Sequence, residues 1–518
     1  DRQQYRQFPE NQRNLLVAGL VHQFLETSAG VYPDKTALLD GELEATYSEI
    51  DSLANRLARL LTLHGLQKGD RVLMIMENSL KSVVGYYGVL KAGGVCVEVP
   101  ERTTGAEASY YIQNSGAKIC ILSSSSAKRL SDIDVPCVIG PDVDLLNRSV
   151  TRLTWSDVKA MPDRAPENRV TECDLAAIVY TSGSTGRPKG VMLTHKNICT
   201  NTASIVSYLN LTEADRVMAV LPFYYVYGKT LLNTHFMVGG SVVVNNRFAF
   251  PNSVVKDMSD KEVTGFAGVP STFAILLNRS VFPKTRIPSL RYITQAGGAM
   301  APALTKRLLD CIGSTSLYIM YGATEASARL TYLPPERLLR DKLGSVGIPI
   351  PQVEITIRDE SGRVLGPHEV GNICATGDNI MMGYWKDTEE TRKVLKPWGL
   401  VTGDLGHKDE EGFIFLTGRK KEMLKIGGER VSPKEIEDAI VESGMVHEVA
   451  VIGRPDEYLS EVPEAFLVPL DEKSFDLDML RAFIGQRLAS HKHPRHFNIV
   501  RSLPKKPSGK IDKEALKR

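Results

Sequence analysis

The sequence predicts an α/β protein: a large N-terminal domain of parallel αβ-layered subdomains plus a β-rich subdomain, then a small α+β C-terminal domain. Three observations carry this reading. Between Thr46 and Pro100 a helical period of apolar residues alternates with short apolar strands, and the alternation returns further along the chain. After Gly344 the strands are separated by Gly, Pro and Asp turns with less helix between them. Beyond Gly418 a charged stretch opens a final region of about 100 residues, long enough for a small domain.

In chain order, Ile50, Leu53, Ala54, Leu57, Leu60 and Leu61 repeat with helical spacing, and the apolar run 71–76 follows as a strand. A second helix and the strand 94–99 complete a strand–helix–strand unit, which requires a parallel sheet covered by helices. The same rhythm predicts strands at 118–122, 216–221, 240–245 and 290–295. The β-rich portion contains candidate strands 353–358 and 371–376. The expected boundaries are therefore 1–418 for the large domain, a hinge at 419–421, and 422–518 for the small one.

Composition narrows the partners. Lys plus Arg (63) nearly cancels Asp plus Glu (61), so bulk charge gives no reason to expect nucleic acid or an anionic membrane surface. With 42% hydrophobic residues, 518 residues are enough for more than one core. The seven cysteines show neither CxxC pairs nor zinc-like His spacing and read as reduced, mostly buried thiols. No run approaches the roughly 18 apolar residues of a membrane span, and the polar start DRQQYRQFPENQRN lacks a signal-peptide core, so a cytoplasmic location is expected.

The strongest local signal is YTSGSTGRPKG at 180–190, directly after the apolar run 175–179. Glycines and small hydroxyls let backbone N–H groups and the oxygens of Thr181, Ser182, Ser184 and Thr185 close on phosphate. Gly183 and Gly186 keep the loop open, and Lys189 adds charge. The pattern is not a Walker A loop, since no GxxxxGK followed by Ser or Thr occurs in it.

Further segments follow in order: LPFYYVYG (221–228), GGA (297–299), YGATE (321–325), GDNIMMGYW (377–385), TGDLG (402–406), GRKKEMLKIGGERVSPKEIE (418–437) and PSGK (507–510). Together with the loop they make the chain resemble, over nearly its whole length, the adenylate-forming superfamily. That superfamily comprises acyl-CoA synthetases, peptide-synthetase adenylation domains and beetle luciferases. The resemblance implies ATP-dependent, AMP-forming activation of a carboxylic acid, with Mg²⁺, followed by transfer to a thiol. It also implies that the C-terminal domain is mobile, presenting two orientations for the two half-reactions.

Attack of a carboxylate on an α-phosphate brings two anions together, so the site must supply positive charge and geometry. The resemblance implies that Tyr321 stacks on adenine beside Gly322, Thr324 bonds the α-phosphate, and Glu325 helps hold Mg²⁺. Gly297, Gly298 and Ala299 correspond to a strip along the adenine and the acid. Asp404 matches the ribose acceptor and Arg419 a ribose-side arginine, while Lys421 occupies the pivot. Lys510 matches the lysine that reaches the α-phosphate and carboxylate during adenylation, and Gly427 and Gly428 belong to the loop that replaces it for thioester formation.

For the acid, the resemblance places Tyr225, Val226, Gly268 and Val269 at the pocket. Amino-acid activators carry an Asp where Val226 stands, and an uncharged site cannot compensate a buried ammonium. Tyr225 replaces a frequent His, and Ser460 replaces a common Gly in a PDExxGE-like stretch. The apolar segment 263–273 fits either an acyl tunnel or plain core. The expected substrate is a fatty or otherwise apolar acid and the expected acceptor CoA, with a carrier-protein phosphopantetheine arm second. A luciferase-like oxygenase and a non-catalytic nucleotide-binding protein are the readings of other classes.

Overall fold

The computed structural model describes residues 19–130, 134–141, 150–181, 188–426, 429–506 and 510–517. Among them the strands form four sheets. The first runs from Ile348–Pro349 through Thr331–Leu333, Ser316–Tyr321, Tyr292–Gln295, Gly265–Gly268, Arg216–Ala219, Ser241–Val244 and Thr36–Asp40 to Leu43–Thr46. Its central pairs are parallel and its edges antiparallel. The second contains Arg71–Ile75, Val95–Val99 and Leu175–Thr181 in parallel, with Lys189–Thr194 and Gly383–Tyr384 added antiparallel. This is the α/β class the alternation predicts.

Local chemistry explains individual elements. Helix Tyr47–Leu63 begins at a capping box in which Thr46 Oγ1 accepts from Glu49 N and Glu49 Oε2 accepts from Thr46 N. Its Ile50, Ala54, Leu57 and Leu61 are buried, as the apolar period requires, and it packs on helix Leu80–Lys91. The expected strand 216–221 stops at Ala219. There the side chain of Asn78 takes over the ladder, donating to Leu221 O at 2.9 Å and accepting from Phe223 N at 2.7 Å. That swap turns the chain out of the sheet and into the LPFYYVYG segment.

The third sheet, of Val353–Arg358, Gly371–Gly377, Gly399–Lys408, Leu395–Lys396 and Ile414–Arg419, is antiparallel throughout. The fourth, of Leu424–Ile426, Glu429–Val431, Val446–Asp456, Ser460–Pro469 and His496–Ile499, encloses its own core of Ile436, Ile440, Val451, Leu467 and Ile484. Helix Pro433–Glu442 of this unit packs against helix Pro302–Ile312 of the first layer. Segment 263–273 divides: Val263, Phe266 and Phe273 are fully buried in core, whereas Val269 reaches the site described next.

Candidate active site

Loop ends of the two large sheets, the antiparallel third sheet and the last residues of the chain meet at one place. Gly297, just beyond strand Tyr292–Gln295, has φ +84°, a conformation that favours glycine. A Cβ there would lie 2.9 Å from Val269 Cγ1, 3.0 Å from the Tyr225 hydroxyl and 3.6 Å from Lys510 Cε. Lys510 Nζ stands 5.9 Å from the centre of the Tyr225 ring. Among the described residues no ion pair joins Lys510 to a carboxylate. Gly298 and Ala299 are exposed along the same strip, and Gly298 O is tied back by Gln295 Nε2 at 2.8 Å.

The YGATE segment is held by close packing. A Cβ on Gly322 would fall 1.9 Å from Ala328 O, so only glycine lets the chain double back there. Thr324 and Glu325 follow in a short 3₁₀ turn, Thr324–Ala326. The Tyr384 hydroxyl donates to Glu325 Oε1 at 2.8 Å. Tyr384 itself comes from the strand Gly383–Tyr384 added beside Lys189–Thr194. Tyr384, quoted in the sequence only as part of GDNIMMGYW, thus orients the acid expected to meet Mg²⁺.

Tyr321 is buried and donates its hydroxyl to Asp404 Oδ2 at 2.8 Å. Burial, then the Asp404 charge, raise that phenol well above its ordinary range, so it remains a donor. Asp404 and Arg419 are opposed cross-strand partners, with Arg419 Nε 3.0 Å from Asp404 Oδ1. Asp404 drives the Arg419 pKa upward. Lys421 is exposed in the turn after Arg419.

Thr181 ends its strand opposite Lys189, so the phosphate-loop motif joins two antiparallel strands. Ser182, Gly183, Ser184, Thr185 and Gly186 lie outside the described residues, as do Gly427 and Gly428. Lys189 is ion-paired with Glu390 and lies 5.4 Å from the Tyr384 ring centre. Glu390 is not legible from the motifs; it comes from helix Thr388–Val394, just past GDNIMMGYW. Lys189 and then Lys393 hold its carboxyl at about 2.

Tyr225 caps helix Val226–Val238 at its N-terminus. Gly228 permits this, because a Cβ there would sit 2.1 Å from Pro222 O. Val226 lines a small cavity with Phe223, Tyr224, Lys229 and Thr230. A Cβ on Gly268 would press on Thr272 at 2.9 Å. Two charged features of this region carry no motif: a buried Lys229–Glu98 ion pair at 2.8 Å, and Arg329, four residues after Glu325. The only sequence signal for Arg329 is a single cation inside the small-residue run ASARL.

The arrangement is that of a nucleotide-dependent adenylating enzyme, and the comparisons identify the family. The AMP-binding enzyme model matches residues 25–385 and the AMP-binding enzyme C-terminal domain matches 435–510. The chain belongs to the AMP-binding enzyme family and is an enzyme of the AMP-forming acid–thiol ligase type. It is 31% identical to a long-chain-fatty-acid–CoA ligase of Bacillus subtilis, over 96% of this chain and 94% of that one. An anthranilate CoA ligase in complex with anthranoyl-AMP superposes with TM-score 0.89 at 25% identity, covering 96% of each chain. The o-succinylbenzoate coenzyme A synthetase of Bacillus subtilis, in complex with ATP and magnesium ion, gives 0.82 at 27%, covering 96% and 99%. Its relatives thus span fatty and aromatic acids.

Proposed function

We propose that the chain converts a carboxylic acid, ATP and CoA into an acyl-CoA thioester, AMP and pyrophosphate. The single observation that carries this is the meeting of Lys510, from the end of the chain, with the Gly297 strip and Tyr225. In the first half-reaction a carboxylate oxygen attacks the α-phosphorus, and the bond to the pyrophosphate oxygen breaks. Lys510 and Thr324 offset the charge gathering between the two anions. In the second, the CoA sulfur attacks the acyl carbon, the thiol proton is lost, and AMP leaves.

Asp404 would accept the ribose hydroxyls, with Arg419 and Tyr321 holding its two oxygens in place. The residues fit Mg²⁺: Glu325 has one oxygen fixed by Tyr384 and offers the other, and magnesium takes few protein ligands beside phosphate. When bound, the ion neutralises phosphate charge. Residues 1–418 would carry this chemistry, with 419–421 as hinge and 422–518 as the moving unit. Rotation about Lys421 would replace Lys510 by the loop containing Gly427 and Gly428.

Near the reacting carboxylate the pocket is apolar, from Val226, Val269 and the Tyr225 ring, which supports an acid without an α-ammonium group. A fatty or related apolar acid is the class the sequence proposes, and the fatty-acid ligase relative supports testing it. CoA is the proposed acceptor because the relatives are CoA ligases; a carrier protein has no such support. The test is acid-dependent pyrophosphate release, followed by thioester detection with CoA. ATP with a broad acid panel yielding no AMP would defeat the proposal.

A further inference from the structure

We infer that Arg329 receives an anionic group at the far end of the acid, so that the substrate is a compact acid carrying a second carboxylate or equivalent anion. The inference rests on the ligase reading above and deepens it, placing a compact dianion ahead of the plain fatty acid that the sequence proposes. Arg329 is only 2% exposed. Its carbonyl is fixed by Asn201 Nδ2 and Asn379 Nδ2, each at 2.9 Å, so the backbone is anchored by two asparagines. The guanidinium, in contrast, meets only neutral groups, the Tyr208 hydroxyl among them. Nε faces the Met320 thioether at 3.3 Å, Nη1 reaches Ala328 O only at 3.4 Å, and Cζ lies 4.0 Å from the Tyr227 ring centre.

A thioether is a weak acceptor, and an arginine presents five donors that do not lose their charge. Other buried cations here have carboxylates: Lys91 has Asp51 and Glu26, Lys229 has Glu98, and Lys342 has Asp409. Among the described residues none forms an ion pair with Arg329. A buried guanidinium left in this state is costly to the fold unless an anion arrives with it.

Its place connects it to the chemistry. Lys510 Nζ stands 5.9 Å from the Tyr225 ring, that ring 6.5 Å from the Tyr227 ring, and Tyr227 is the ring under Arg329. A chain of ring contacts through the buried Tyr227 thus links the lysine at the reacting carboxylate to a guanidinium with no carboxylate partner among the described residues. An acid with an apolar body and an anion at each end matches both. The neighbouring Lys229 does not compete, since Glu98 already neutralises it.

The experiment measures pyrophosphate release and CoA thioester formation by the full chain on matched series. Malonate, succinate, glutarate and terephthalate are set against propanoate, butanoate, pentanoate and benzoate, with palmitate as a long-chain reference. We expect a dianion to exceed its monoanionic partner in kcat/KM by about 10²-fold or more, because the monoanion leaves the guanidinium unpaired. Arg329→Leu should invert that preference, and Arg329→Lys should keep part of it. Preference for monoanions in the wild type, or an order unchanged by Arg329→Leu, overturns the inference and leaves the ligase reading intact. If Arg329→Leu does not fold, the wild-type ranking and Arg329→Lys decide. Release with no acid in either series, and none across the broad acid panel, overturns the ligase reading itself.

Discussion

Arg419 Nε lies 3.0 Å from Asp404 Oδ1 across two adjacent strands, while the other Asp404 oxygen accepts the Tyr321 hydroxyl at 2.8 Å. The carboxylate is therefore aimed before any nucleotide arrives. Asp404→Asn keeps its shape and removes its charge. We expect the KM for ATP to rise about 10- to 100-fold, the value of a charged hydrogen bond, with kcat changing less. Initial rates at varied ATP check this, and an unchanged KM removes Asp404 from ribose binding.

Lys510 supplies the positive charge nearest the Gly297 strip. Lys510→Ala should slow adenylation by about 10²- to 10³-fold, the usual loss when one donor to a developing charge is deleted. Thioester formation from chemically prepared acyl-AMP and CoA should persist. Wild-type pyrophosphate release by the variant would contradict the assignment.

Ser460 has φ +69° at the turn joining Val446–Asp456 to Ser460–Pro469. A side chain in that region costs about 1 kcal/mol relative to glycine. Ser460→Gly should raise the urea midpoint of unfolding accordingly. A lower midpoint would mean that the serine makes a compensating contact.

Three buried histidines are expected to weaken the fold in acid. Burial lowers His22 from 6.5 to about 4, His195 to about 3 and His235 to about 4, with Lys91 aiding the first and His22 the second. His195 Nδ1 accepts from Val21 N at 3.1 Å, which requires the unprotonated nitrogen. In the unfolded chain these rings take protons below about 6.5 while the native ones do not. The stability they contribute is complete above 6.5 and is lost as pH falls toward 4 and then 3. Urea midpoints should fall across that window; a flat profile between pH 6.5 and 4 would refute the argument.

Much of this was readable beforehand because it is local. The helix at Ile50 to Leu61, the strand 353–358 and the turn glycines follow from period and backbone freedom. The motif residues were legible as a family pattern. Tyr384 and Glu390 were not, because what gives each a role is a partner distant in sequence: Glu325 in one case, Lys189 in the other. The ambiguity of 263–273 was of the same kind, since periodicity cannot tell a core face from a pocket wall.

The sequence by itself determined the layered α/β class, the Gly- and hydroxyl-rich composition of the segment 180–190 and the uncharged residue at Val226, all matters of residue type and short spacing. Only the tertiary structure decided that Lys510 stands over Gly297, that Glu98 neutralises Lys229, and that Arg329 has no such neighbour among the described residues. The reason is physical: whether a buried charge is balanced depends on which groups lie within a few ångströms of it, and chain packing, not order along the chain, sets that distance.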